Sequence, residues 1–308
     1  IEHVMWPDEK MVFPDGNAEP AGDDAFMVRT AQKMYHEISP ETGEFIDFMI
    51  DHELMDLQNK PGKASTGYMT SLPSLKAPFV FSCFNHTIFD MQVLTHELGH
   101  AFAGYMAMRS QPILDYYSES TDIAEIHSMS MEQFAYPYAE WFFGDQADKF
   151  RFAHLQEAIT FVPFGVAVDE FQHICYAHPE LTPKERTYQW HLLEEKYMPW
   201  RRYENDAFMD RGGYWYHKLH IYLYPFYYIN YTLTTMGAME FKKKYAEDKS
   251  AAWQDYLNLC KTGGSRSYLE TLRYANLANP FEAGSVARAC GYAEKILLKQ
   301  IEEQMQQA

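Results

Sequence analysis

The sequence predicts a mainly α fold with a small β-sheet set just before one buried helix. Three observations carry this. From about residue 88 onward the apolar residues recur at helical spacing almost without interruption. Residues 60–88 break that pattern with Lys60-Pro61-Gly62-Lys63, Gly67 and Pro73 around short strand-like runs. Between the two regions, 89–109 is apolar nearly all round, through Met91, Val93, Leu94, Leu98, Ala101, Phe102, Ala103 and Met106, which marks a helix buried on every side.

The elements follow in order. Residues 1–25 are rich in Pro, Gly and Asp and read as loop. Helical periodicity covers 24–58, with Ser39-Pro40-Glu41-Thr42 as an internal helix start that places Pro in the first turn. The runs Tyr68-Met69-Thr70 and Pro78-Phe79-Val80-Phe81-Ser82 supply the small sheet of 60–88. Helices are expected over 89–109, 119–144, 147–178, 182–197, 215–245, 250–260 and 283–306. Thr182-Pro183-Lys184-Glu185 has the form of an N-cap followed by Pro, and Ser267 can cap a short helix through 274. No internal repeat or low-complexity linker appears, so 1–308 is read as one domain.

Composition narrows the classes of function. The chain has 308 residues, 47% of them apolar, which excludes a disordered chain. Its net charge of −17 repels phosphate backbones and argues against a nucleic-acid partner. No apolar run reaches the roughly 18 residues that span a bilayer, so no membrane association is expected. Cys83, Cys175, Cys260 and Cys290 are scattered, without CxxC spacing, as expected of reduced thiols in the cytoplasm. The start, IEHVMWPDEK, has no apolar core of a signal peptide and no initiator Met.

The buried helix carries the chemistry. His96-Glu97-Leu98-Gly99-His100 is an HExxH motif, and residues four apart on a helix share a face, so His96 and His100 can direct two imidazoles at one metal ion. Two imidazoles and a carboxylate inside a buried helix are costly unless paired or metal-bound. Catalytic zinc takes three protein ligands and keeps one position for water. Glu125, 25 residues after His100, is the leading third ligand, with Glu119, Glu132 and His127 as alternatives. Glu132 lies two turns beyond Glu125 and can accept a hydrogen bond from a ligand imidazole; Asp90 and Glu119 are weaker candidates for such support. A zinc ion held this way lowers the pKa of a water to about 7, and Glu97 is the group to take its proton as general base and pass it on to a leaving amine.

A second feature is the run YWYHKLHIYLYPFYYINY at 214–231, with seven Tyr and with His217 and His220. Phenols and imidazoles are the neutral donors an oxyanion needs. Gly212-Gly213 precedes the run as a close-approach loop, and Pro225 is expected to interrupt a helix near its centre.

These residues resemble the thimet oligopeptidase and oligoendopeptidase F family of zinc metallopeptidases, the oligoendopeptidase F branch in particular. The resemblance lies in PFVFSCFNHTIFDMQVLTHELGHAF at 78–102, in TDIAEIHSMSMEQ at 121–133, whose ExxSxxxE pattern falls on Glu125, Ser128 and Glu132, in VDEFQHICY at 168–176, in LTPKER at 181–186 and in RGGYWYHKLHIYLYPFYYINY at 211–231. It implies one Zn2+ on His96, His100 and Glu125, with Glu97 as general base and with oxyanion or substrate contacts from His220 and from Tyr224, Tyr227 and Tyr231. It implies a helical gluzincin-type catalytic domain, with the zinc-binding helices in 89–144 and the Tyr-rich loop and helix in 211–236, forming part of a clamshell-like channel peptidase that takes short peptides. The family commonly has Gly where this chain has His86. Its members are generally about twice as long, so the chain reads as the catalytic C-terminal half, with the N-terminal lobe missing or present as a companion chain. The competing functions are an exopeptidase-type gluzincin and a catalytically impaired peptide-binding module.

Overall fold

The computed structural model describes residues 5–204 and 206–307. It is mainly α with one small sheet. Helices α1 (Asp24–Ile38) and α2 (Pro40–Asp51) meet at Ser39, whose Oγ caps α2 by accepting from Thr42 N at 3.2 Å. Strand β1 (Met55–Asp56) follows, then β2 (Tyr68–Leu72) and β3 (Ala77–Phe81). The order is β1-β3-β2, with β1 parallel to β3 (Met55 opposite Val80) and β2 antiparallel to it (Tyr68 opposite Phe81, Leu72 opposite Ala77). Helical periodicity through 58 therefore overreaches. The chain leaves the helix at His52, turns through Glu53 in the left-handed region at φ 53°, and gives 55–56 to the sheet.

Helix α3 (Phe89–Ser110) carries HELGH, and α4 (Thr121–Ala135) packs along it. Pro137 ends the regular helix expected over 119–144, and α5 (Ala139–Phe143) resumes it for a single turn. Next come α6 (Ala147–Ala177), α7 (Pro183–Tyr197), α8 (Ala207–Asp210), α9 (Leu219–Leu223) and α10 (Ile229–Glu247). The last three are α11 (Lys249–Thr262), α12 (Tyr268–Tyr274) and α13 (Ser285–Gln307). Thr182 and Glu185 form a capping box at the start of α7, as Ser267 and Glu270 do for α12. The helix expected over 215–245 is broken. Pro225 and Phe226, the latter at φ 61°, lie in the turn between α9 and α10, and Phe226 N donates to Gln172 Oε1 at 2.8 Å.

The chain falls into two compact units. One comprises 18–155 and 234–308. Its core is aromatic: Phe45 meets Phe102 edge-on, and Phe134 meets Trp253, Tyr256 and Phe241. Complete burial of each such ring contributes roughly 1.5–3 kcal/mol, and α3 runs through this core. The other unit comprises 1–17 and 156–233. It is built on Phe164, Val168 and Phe171 of α6, Trp190 and Leu193 of α7, and Trp215 and Tyr228. In this unit Arg201 makes a two-pronged ion pair with Glu9, at 2.7 and 2.9 Å, which ties down the segment beginning at Met5. Among the described residues no helix is long and apolar enough to cross a membrane.

Candidate metal centre

Helix geometry puts His96 and His100 on one face of α3, their ring centroids 4.9 Å apart. Glu125 arrives from α4. Its Oε2 lies 3.1 Å from His96 Nε2 and 3.3 Å from His100 Nε2. One ligand atom from each residue lies within 4.8 Å of the other two, and among the described residues no other three His, Cys, Asp or Glu side chains converge in this way. A glycine sets the helix separation that allows this. A Cβ at Gly99 would stand 2.7 Å from Ser128 Cα and 3.0 Å from His127 O, so only glycine lets α4 come so near.

Glu125 is held by Ser128, whose Oγ donates to Oε2 at 3.0 Å. Glu132, two turns further along α4, accepts from His96 Nδ1 at 2.7 Å through Oε1. That bond keeps one imidazole proton on Nδ1 and leaves Nε2 as the nitrogen that faces Glu125. Burial disfavours a charged His96, but its hydrogen bonds to Glu125 and Glu132 outweigh this and push its pKa well up. Burial likewise works to raise the Glu125 pKa, and the hydrogen bonds from His100 and His96 overcome it and hold the carboxyl well below the usual range. Both shifts say the same thing: this buried pocket demands positive charge, and a divalent cation on the three ligand atoms satisfies it without protonating a ring nitrogen. Two imidazole nitrogens and one carboxylate oxygen form a donor set that suits zinc.

Glu97 is buried at 7% exposure, and its Oε2 has no hydrogen-bond partner. Burial raises its pKa against the opposing charges of His96 and His100. The backbone leading into β2 crosses directly over it, and a Cβ at Gly67 would stand 2.9 Å from Glu97 Oε1. Asp90 serves elsewhere. Its two oxygens accept from Asn85 N at 3.0 Å and His86 N at 2.8 Å, which fixes the turn at the foot of α3. In that turn His86 sits at φ 59°, the left-handed conformation that favours glycine. Glu119 lies 3.2 Å from His127 Nδ1; the His127 side chain is buried and that of Glu119 partly so. Neither belongs to the group of three ligand atoms.

The Tyr-rich segment gathers around His220 in the other unit. The imidazole stacks on Tyr227 (centroids 6.0 Å, 8°) and meets Tyr231 edge-on at 6.0 Å. Tyr227 Oη donates to Tyr231 Oη at 3.3 Å. Burial lowers the His220 pKa, helped by the charge of Lys218, so the ring is neutral near pH 7. Tyr224 touches Tyr227 but is 60% exposed.

One residue that sequence reasoning does not find is His154 of α6. Its Nε2 lies 2.6 Å from Glu132 Oε2. Its only sequence signal is a lone His in an apolar helix.

The sequence profile of peptidase family M3 matches residues 29–290, most of the chain. The chain belongs to peptidase family M3. Among the relatives of this M3 chain is an oligoendopeptidase F homolog of Borreliella burgdorferi, 24% identical over 229 residues, which cover 73% of this chain and 38% of that protein. Oligopeptidase PepF of Bacillus subtilis is 22% identical over 236 residues, covering 74% of this chain and 34% of that protein. A solved structure of PZ peptidase A with an inhibitor superposes with a TM-score of 0.91 at 47% identity, over 97% of this chain and 53% of that one. The M3 chain thus spans little more than a third of the curated relatives it matches and about half of this solved one. The branch that its motifs resemble is the one the Borreliella burgdorferi relative's name gives.

Proposed function

We propose that this chain carries the catalytic site of a zinc-dependent endopeptidase acting on short peptides, with His96, His100 and Glu125 holding one Zn2+. The observation that carries the reading is the convergence of three ligand atoms within 4.8 Å beside a buried carboxylate, Glu97, with an unpartnered oxygen. Bound zinc would supply a Lewis acid that acidifies water and polarises the scissile carbonyl.

The chain's own residues account for the rest. Glu97 takes the proton of the attacking water on its unpartnered Oε2 and delivers it to the leaving amine nitrogen. Its raised pKa suits both tasks, since a carboxylate of ordinary acidity would be a weaker base and a poorer carrier of the proton. Ser128 and Glu132 fix the ligands Glu125 and His96 in orientation. The family resemblance implies oxyanion contacts from His220, Tyr224, Tyr227 and Tyr231; the imidazole of His220, with Tyr227 and Tyr231 packed on it, offers neutral donors of the kind that role needs. Action within the chain rather than at a terminus is favoured by the name of the Borreliella burgdorferi relative, an oligoendopeptidase F homolog. The four cysteines are free, which supports a reducing compartment such as the cytoplasm.

The test is cleavage of an internally quenched peptide blocked at both ends. Zinc-loaded protein should cleave it, and Glu97→Gln should keep the zinc and lose turnover. Cleavage confined to peptides with a free terminus would replace this reading with an exopeptidase.

A further inference from the structure

We propose that His154 is a positioning residue for the metal centre, acting through Glu132 to hold His96 in the orientation that presents Nε2. The inference rests on the zinc reading above. Three side chains from three helices form a line: His96 Nδ1 to Glu132 Oε1 at 2.7 Å, then Glu132 Oε2 to His154 Nε2 at 2.6 Å. The Glu132 and His154 side chains are 7% and 3% exposed, so solvent does not compete for either bond.

The proton positions follow from the partners. An ionised carboxylate only accepts, so His154 donates from Nε2. His154 Nδ1 is buried without a hydrogen-bond partner, so the bond from Nε2 to Glu132 is the ring's one polar tie. Packing fixes the ring: Phe150 stacks on it at 5.4 Å and 10°, and Tyr136 lies 6.2 Å away. With both oxygens of Glu132 tied to a ring, the carboxylate cannot rotate. Released by His154, it would keep one bond, turn about it and cease to define the plane of His96. A buried ionic group of this kind is a poor device for stability alone. At this depth its effect is on orientation.

The experiment compares His154→Gln, whose amide retains a donor toward Glu132, with His154→Leu, which keeps the volume and removes the donor. Zinc affinity of the chain is read by competition with a chelating indicator, with circular dichroism confirming the fold of each variant. Leu should weaken zinc binding about 10–100-fold and lower kcat on the blocked peptide with KM unchanged. Gln should recover most of both. If the Leu variant does not fold, His154→Asn, whose shorter amide falls short of Glu132, takes its place. Wild-type zinc affinity in the variant without the donor, or Gln as weak as Leu, overturns the proposal. Failure of the wild type to bind zinc overturns the zinc reading and this inference together.

Discussion

Gly99→Ala offers a way to move Glu125, the proposed third zinc ligand, without touching it. The added Cβ would sit 2.7 Å from Ser128 Cα, 2.9 Å from Met131 Cβ and 3.0 Å from His127 O. Two of these are backbone atoms, which cannot swing aside. Carbon atoms rest about 3.5–4.0 Å apart, so α4 must retreat from α3 by about 1 Å. Metal ligands tolerate roughly 0.2 Å of error. Glu125 rides on α4 one turn before Ser128, so this displacement is several times what the site can absorb. Overpacking of this kind costs about 1–3 kcal/mol of stability, leaving the fold intact while zinc affinity falls at least about tenfold, as for other losses of ligand support. The assay is zinc competition with a chelating indicator, alongside thermal melts of the metal-free protein. Gly291→Ala in α13 is the control, because nothing lies within 4 Å of its Cβ position; it should stabilise by about 0.4–1 kcal/mol and leave zinc binding alone. Wild-type zinc affinity in Gly99→Ala would refute the claim that close contact of α3 and α4 sets the ligand geometry.

Three further outcomes are expected. His86→Gly relieves a left-handed residue and should raise the melting temperature by the equivalent of roughly 1 kcal/mol, with zinc affinity unchanged; a lower melting temperature would show that the imidazole itself supports the turn. Lys242 is buried over the Tyr136 ring, and burial, with the charge of Arg151, pushes its pKa down to about 7. Between that value and its unfolded pKa the unfolded chain binds the extra proton, so this group makes stability rise with pH from about 7 to about 10. Lys242→Met should flatten that rise and stabilise most at the acid end, as urea melts across the range would show; an unchanged pH slope would contradict it. Tyr227→Phe and Tyr231→Phe should lower kcat by about 10–1000-fold if their hydroxyls serve the oxyanion, with zinc content unchanged; full activity in both would remove them from the mechanism.

What the sequence made legible and what it did not divide along physical lines. HELGH is readable because a four-residue spacing on a helix is local geometry, and the buried α3 is readable because its residues are apolar on every side. The capping residues Ser39, Thr182 and Ser267 announce their helices for the same local reason. The sheet between 60 and 88 shows in its Gly and Pro punctuation, but β1 does not, because Met55 and Asp56 become a strand only by pairing with β3. The convergence of Glu125 on His96 and His100 depends on how closely α4 passes α3, which a bare Gly99 permits but does not announce. His154 lies 22 residues beyond Glu132 and meets it only in the folded core. Gly67 over Glu97 is likewise a tertiary contact, made by a glycine that in the sequence only punctuates a turn.

If His96, His100 and Glu125 form one zinc site, tight binding of a single zinc depends on all three. Calorimetric titration of zinc into chelator-treated protein tests it most directly, with His100→Ala and Glu125→Ala run beside the wild type. The expected result is one tight zinc per wild-type chain and loss of tight binding in both variants. A wild type that takes up no zinc, or a variant that binds it as tightly as the wild type, would contradict it.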